Sequence, residues 1–123
     1  MISDEIYHGI EYENRSNTVL SYDRKAIVVN SFSKYFSMTG WRLGAAIGPE
    51  FIMKIFSKLS VNDESCTNHF IQYGGIEALT GCQDGVLQLL NELNRRRDAL
   101  AEKLNEIEGL SMYVPNSTFY LFP

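Results

Sequence analysis

Cysteine is scarce: Cys66 and Cys82 are the only two in 123 residues. Two thiols cannot build a disulfide framework, and their presence fits a reducing compartment. Their spacing matches no zinc pattern, so no metal site is expected, and His8 and His69 read as structural. There are three prolines, no internal repeats and no low-complexity tracts, which argues against a solenoid or a long flexible linker. Positive charge is not in excess. Eleven Lys and Arg stand against 15 Asp and Glu, a net charge of −4, which speaks against a general nucleic-acid or anionic-membrane surface. The one dense basic run, Arg95-Arg96-Arg97, falls in an expected helix and reads as a solvated face. No apolar run reaches the length of a membrane span, and the N-terminus lacks the shape of a signal peptide. Together these absences point to the cytoplasm.

What is present is an ordinary globular composition, 45% apolar and 21% charged. The length suits one modest domain and is too short for two full ones. Met1-Ile2 reads as a strand stump running into the acidic turn Ser3-Asp4-Glu5-Ile6-Tyr7. Ser117 to Phe122 reads as a strand stopping at Pro123. Cut strands leave unpaired backbone groups, so the chain is expected to be an internal stretch of a longer protein.

Between the ends, residues 26–31 form a continuous apolar run, the pattern of a parallel strand covered on both faces. Residues 42–47 read as a second short strand in which Gly44 permits close backbone approach. Gly48-Pro49-Glu50 opens a helix with Phe51, Ile52, Ile55 and Phe56 on its apolar face, ending about Leu59. Thr67 or Asn68 can cap a second helix whose face carries Phe70, Ile71, Gly74, Gly75, Ala78 and Leu79, with Gly81 as a stop. Asp84 is the expected cap of a long helix reaching about Glu108. After it, residues 110–114 and 118–122 read as a hairpin around Pro115-Asn116, with the aromatics of 119–122 as strand core.

One stretch carries chemistry. Ser31-Phe32-Ser33-Lys34 follows the buried strand, and Thr39-Gly40-Trp41-Arg42-Leu43-Gly44 follows closely. An amine, hydroxyls and a fixed guanidinium at a strand end are the parts needed to form an imine with a phosphorylated aldehyde and to hold its phosphate. The stretch therefore reads as a pyridoxal-phosphate site. Lys34 is the candidate imine-forming group and base for the α-proton. Ser31, Ser33 and Arg42 are candidate phosphate ligands; outside this motif Arg42 would sooner be read as pairing with a surface acid such as Asp23, and the two serines as ordinary turn residues. Asp4 could pair with a pyridine nitrogen or serve as a helix cap. Tyr7 could bond the ring oxygen or be a core aromatic. Both Asp4 and Lys34 fall at carboxyl ends of strands, where open parallel sheets bind ligands.

Ser3-Asp4-Glu5-Ile6-Tyr7, followed by SFSKYFSMTGWRLG, strongly resembles the class I/II aminotransferases of fold type I. The resemblance extends over essentially the whole chain, through Pro49–Leu59, Gln72–Leu79 and Thr118–Phe122; Ser117 stands where the family often has glycine. It implies an α/β fold, a mostly parallel sheet flanked by helices. Residues 1–82 would be the second part of the cofactor-binding large domain, 83–108 a long interdomain helix and 109–123 the start of a small α+β domain. It implies Lys34 as the Schiff-base lysine, Asp4 as the pyridinium partner, Tyr7 as donor to the ring oxygen, and Ser31, Ser33 and Arg42 as phosphate ligands. It also implies pyridoxal 5′-phosphate as cofactor, amino-acid and 2-oxo-acid substrates, and a homodimer. The family elements that stack on the ring and bind the substrate carboxylate are not in this chain, so by itself it is expected to be inactive. The same residues would serve a carbon–sulfur β-lyase or synthase of this fold, or the effector-sensing domain of a transcription regulator. The latter would need a basic DNA-binding part that these residues do not contain.

Overall fold

Ile2–Asp4 forms β1, Ile27–Ser31 forms β2 and Gly44–Ile47 forms β3 in the computed structural model, which describes all residues from Met1 to Pro123. They make one three-stranded sheet in the order β1-β2-β3. β1 runs parallel to β2, with Ile2 opposite Ile27 and Asp4 opposite Val29. β3 runs antiparallel to β2, with Val28 opposite Ile47 and Ser31 opposite Gly44. Strand alternation decides what is covered: Val28 is 2% exposed and its neighbour Val29 41%. The expected cover on both faces of β2 is thus present on one face within this chain.

Helix α1 spans Glu50–Asp63, α2 His69–Thr80 and α3 Asp84–Asn105. Pro49, with φ −56°, leads into α1, and Glu50 pairs with Lys54 one turn on at 2.6 Å. This helix runs a turn past its expected end at Leu59. It stops short of Ser65, whose φ of 65° is left-handed. Asn68 occupies the cap position of α2 without a side-chain capping bond. Asp84, expected as a cap, is instead the first residue of α3, where a negative charge favours the helix N-terminus. No helix is long and apolar enough to cross a membrane.

The hairpin expected over 110–122 is not formed. Its backbone groups bond an earlier segment instead: Tyr12 N–H donates to the Asn116 carbonyl at 2.9 Å, and Thr118 N–H to the Ile10 carbonyl at 2.9 Å. Glu11 and Ser117 form an isolated antiparallel bridge. Thr118, at φ 63°, turns the chain where a strand would have to continue. Phe119, Tyr120 and Phe122, expected as strand core, are exposed.

The chain divides into two compact units. One comprises Met1–His8 with Asn17–Cys82, the other Gly9–Ser16 with Gln83–Pro123. Ala26, Val28 and Met38 are buried in the first. Ile10, Ala101 and Met112 are buried in the second.

Candidate functional site

The parallel register of β1 and β2 brings both strand ends to one edge of the sheet. Asp4 closes β1 opposite Val29, and β2 continues through Ser31 into the turn that carries Lys34. Asp4 is exposed, and its Oδ1 accepts the Ile6 N–H at 3.2 Å, an aspartate turn that bends the chain away from the strand. The next turn is closed by His8 N–H on the Glu5 carbonyl at 2.9 Å and carries Tyr7. The Lys34 Nζ lies 5.9 Å from the centre of the Tyr7 ring, within reach of a cation–π attraction. Tyr7 and Lys34 are therefore brought together, and Asp4 shares their strand edge.

The Ser31–Leu43 segment folds back on itself. Ser31 Oγ accepts the Ser33 N–H at 3.1 Å and donates to the Leu43 carbonyl at 3.3 Å. Phe32 N–H donates to that same carbonyl at 3.1 Å. The Ser31 hydroxyl thus ties the lysine turn to the residue after Arg42. Ser33 is buried and Lys34 half-buried. Ser37 and Arg42, both at φ 55°, make the reversals. Arg42 ends the short 3₁₀ helix Thr39–Trp41, and its Nη1 donates to the Thr39 carbonyl at 2.8 Å. The acid proposed as its surface partner, Asp23, instead accepts the Lys25 N–H at 2.8 Å. Arg42 is exposed and lines an open groove of ≈ 780 Å³ with Asn30, Gly44, Ala45 and Phe56.

Helix α2 seats this segment through two glycines. A Cβ on Gly74 would lie 2.6 Å from the Trp41 ring, and one on Gly75 2.6 Å from Leu43 Cδ2. Both were legible as part of an apolar helix face; their partners were not, because nothing local in the sequence links residues 41–43 to 74–75.

Sequence reasoning passed over Glu5. Its Oε1 accepts the Val19 N–H at 2.8 Å, the Thr18 hydroxyl at 3.1 Å and the Ser3 hydroxyl at 3.2 Å. Burial acts to raise the Glu5 carboxyl, but the bonds from Val19, Thr18 and Ser3 outweigh it and hold the group below its usual range. The only sequence signal was an acid inside the Asp4–Tyr7 motif; Ser3 is a near neighbour, but Thr18 and Val19 come from a segment 13 and 14 residues on.

The whole chain, residues 1–123, matches the family described as Aminotransferase class I and II. It is 36% identical over 126 residues to the aspartate aminotransferase of Sulfurisphaera tokodaii, covering 100% of this chain and 31% of that protein. Against the probable aspartate/prephenate aminotransferase of Aquifex aeolicus it is 38% identical over 130 residues, covering 100% of this chain and 33% of that one. The solved aspartate aminotransferase from Rhizobium meliloti superposes with a TM-score of 0.91 at 33% identity, over 98% of this chain and 31% of its own. The chain thus spans about a third of the length of these relatives. A match that begins in β1, runs through the lysine turn and its supporting helices and reaches Pro123 leaves one assignment: the chain belongs to the class I and II aminotransferases and carries a stretch of their fold type I architecture.

Proposed function

We propose that this chain is the lysine-bearing stretch of a pyridoxal-phosphate-dependent aminotransferase, which moves an amino group between an amino acid and a 2-oxo acid. The observation that carries the reading is the shared strand edge, with Asp4 ending β1, Lys34 following β2, and the Tyr7 ring 5.9 Å from the Lys34 amine. The donor set suits the cofactor: an amine for its aldehyde, a carboxylate for its ring nitrogen, a phenol for its ring oxygen, and hydroxyls with a guanidinium for its phosphate. When bound, the cofactor would supply a ring able to delocalise the electrons left when a substrate loses its α-proton.

The chain's own groups then have separable tasks. Lys34 would take the α-proton on its amine and hand a proton back at the neighbouring carbon. Asp4 would hold a proton at the ring nitrogen. Tyr7 would donate its O–H to the ring oxygen and limit where the Lys34 amine can swing. Ser33 and Arg42 would hold the phosphate, with Ser31 contributing its hydroxyl and fixing the lysine turn to Leu43. For a phosphate, Arg42 would exchange its bond to the Thr39 carbonyl for a bidentate one, which is the stronger arrangement.

In the same reading, residues 1–82 belong to the cofactor-binding large domain, 83–108 to an interdomain helix and 109–123 to the start of a small domain. The protein acts as a homodimer in the cytoplasm, a setting that two exposed free thiols, Cys66 and Cys82, support. The test is borohydride reduction after incubation with pyridoxal phosphate, followed by peptide mapping. A single reduced adduct on Lys34, absent in Lys34→Ala, is the expected result. Adducts scattered over Lys25, Lys54 and Lys58 with none on Lys34 would count against it.

A further inference from the structure

We propose that Glu5 is a positioning residue for this site, acting through the turn that carries Asp4 and Tyr7. The inference rests on the roles of Lys34, Asp4 and Tyr7 given above. Glu5 lies between two of those residues and is held in three ways. Its N–H donates to the Val29 carbonyl at 2.8 Å, which extends the β1–β2 pairing by one bond. Its carbonyl accepts the His8 N–H at 2.9 Å, which closes the turn presenting Tyr7. Its carboxylate gathers Val19 N–H, the Thr18 hydroxyl and the Ser3 hydroxyl on one oxygen, at 2.8, 3.1 and 3.2 Å. Thr18 in turn caps the short 3₁₀ helix Val19–Ser21. The segment returning at Thr18 is thereby tied to the residue between Asp4 and Tyr7.

A carboxylate suits this place because an ionised oxygen accepts several short bonds that a hydroxyl cannot gather at once. Against the opposing effect of burial, these hydrogen bonds hold the Glu5 carboxyl below its usual range, the direction that favours the ionised form. Removing it would leave the Val19 N–H without its charged acceptor and release the turn from its side-chain anchor. The side chains of Asp4 and Tyr7 would then sample a wider range relative to Lys34.

The experiment compares Glu5→Ala, Glu5→Gln and Val19→Pro with the unaltered protein. Val19→Pro removes one donor to Glu5 at a tolerant position. Val19 is the first residue of its 3₁₀ helix, and Thr18, at φ −66° and ψ 145°, already has the backbone favoured before proline. The first readout needs no cofactor: nuclear Overhauser contacts between the Tyr7 ring and the Lys34 side chain, with the amide signals of α2 and β3 reporting the fold. The second is the rate of reductive trapping of pyridoxal phosphate on Lys34. Glu5→Ala and Val19→Pro are expected to lose the Tyr7–Lys34 contacts and to slow trapping about tenfold, the scale of one charge-assisted hydrogen bond. Glu5→Gln, which keeps an acceptor oxygen but loses its charge, is expected to recover part of both. Folded variants with unaltered contacts and an unaltered trapping rate would overturn the proposal. If Glu5→Ala fails to fold, the milder Val19→Pro decides by the same criteria. Contacts that depend on Glu5 in a protein never trapped at Lys34 would uphold the positioning role and sink the cofactor reading instead.

Discussion

Arg97 is the residue whose surroundings most change its meaning. In a run of three arginines on α3 it reads as solvated, and Arg95 and Arg96 do lie out in solvent, each 69% exposed and sharing Glu92. The Arg97 side chain is 8% exposed. Its guanidinium donates to the Pro115 carbonyl at 2.9 Å, pairs with Asp98 at 2.7 Å and stacks 4.7 Å from the Tyr12 ring centre. Tyr12 in turn donates its hydroxyl to the Thr118 carbonyl, and burial raises that phenol above its usual range while Arg97 acts to lower it. Arg97→Ala should therefore cost about 1–3 kcal/mol in denaturant unfolding, and Arg97→Lys should recover little, since an ammonium cannot serve a carbonyl, a carboxylate and a ring face together. Glu92 behaves differently. Bonds from Arg95 and Arg96 hold its carboxyl down to about 2. A carboxyl lowered in the folded state stabilises it above the ordinary value of about 4.3 and loses that contribution as pH falls towards 2. The group is exposed, so the effect is small. Glu92→Gln is expected to reduce the acid-induced loss of far-ultraviolet helical signal below about pH 4 and to leave the neutral-pH signal unchanged.

At the scale of elements, the seating of α2 on Trp41 and Leu43 gives opposite expectations for two adjacent glycines. Alanine gains about 1 kcal/mol over glycine inside a helix, whereas forcing a methyl into a filled space costs about 1–3 kcal/mol. At Gly74 the obstacle is the rigid Trp41 ring, so Gly74→Ala should destabilise and shift the emission of the protein's single tryptophan. At Gly75 the obstacle is the end of a flexible leucine, so Gly75→Ala should be closer to neutral and leave emission in place. The elements themselves were largely legible. The apolar run at 26–31, the Gly48-Pro49-Glu50 start and the long helix expected from Asp84 to about Glu108 correspond to β2, α1 and α3 within a turn. The hairpin at 110–122 was not, although its alternation looked right. Its backbone groups found Ile10 and Tyr12 instead, and no pattern within the hairpin itself could reveal a competitor a hundred residues away.

Across the whole molecule, much apolar surface lies open: Phe51, Ile55 and Leu59 recur every four residues along α1, and Phe70, Tyr73 and Ile76 are exposed on α2. Stripes of this kind drive association in water. Light scattering on the 123-residue chain should accordingly show mass rising with concentration; a monodisperse monomer would contradict it. The candidate site residues were named from short spacings. Asp4 and Tyr7 lie in one turn, Lys34 lies in the turn after β2, and Arg42 follows the next short helix, so local sequence was enough to nominate them. The sequence by itself determined which side chains could do chemistry and where strands and helices could form, since both depend on near neighbours. Only the tertiary structure decided that β1 and β2 run parallel and share an edge, that Tyr7 faces Lys34, that Glu5 is held by Val19 and that Arg97 is buried. Each of these is a meeting between distant segments, set by the burial and hydrogen bonding of the assembled chain.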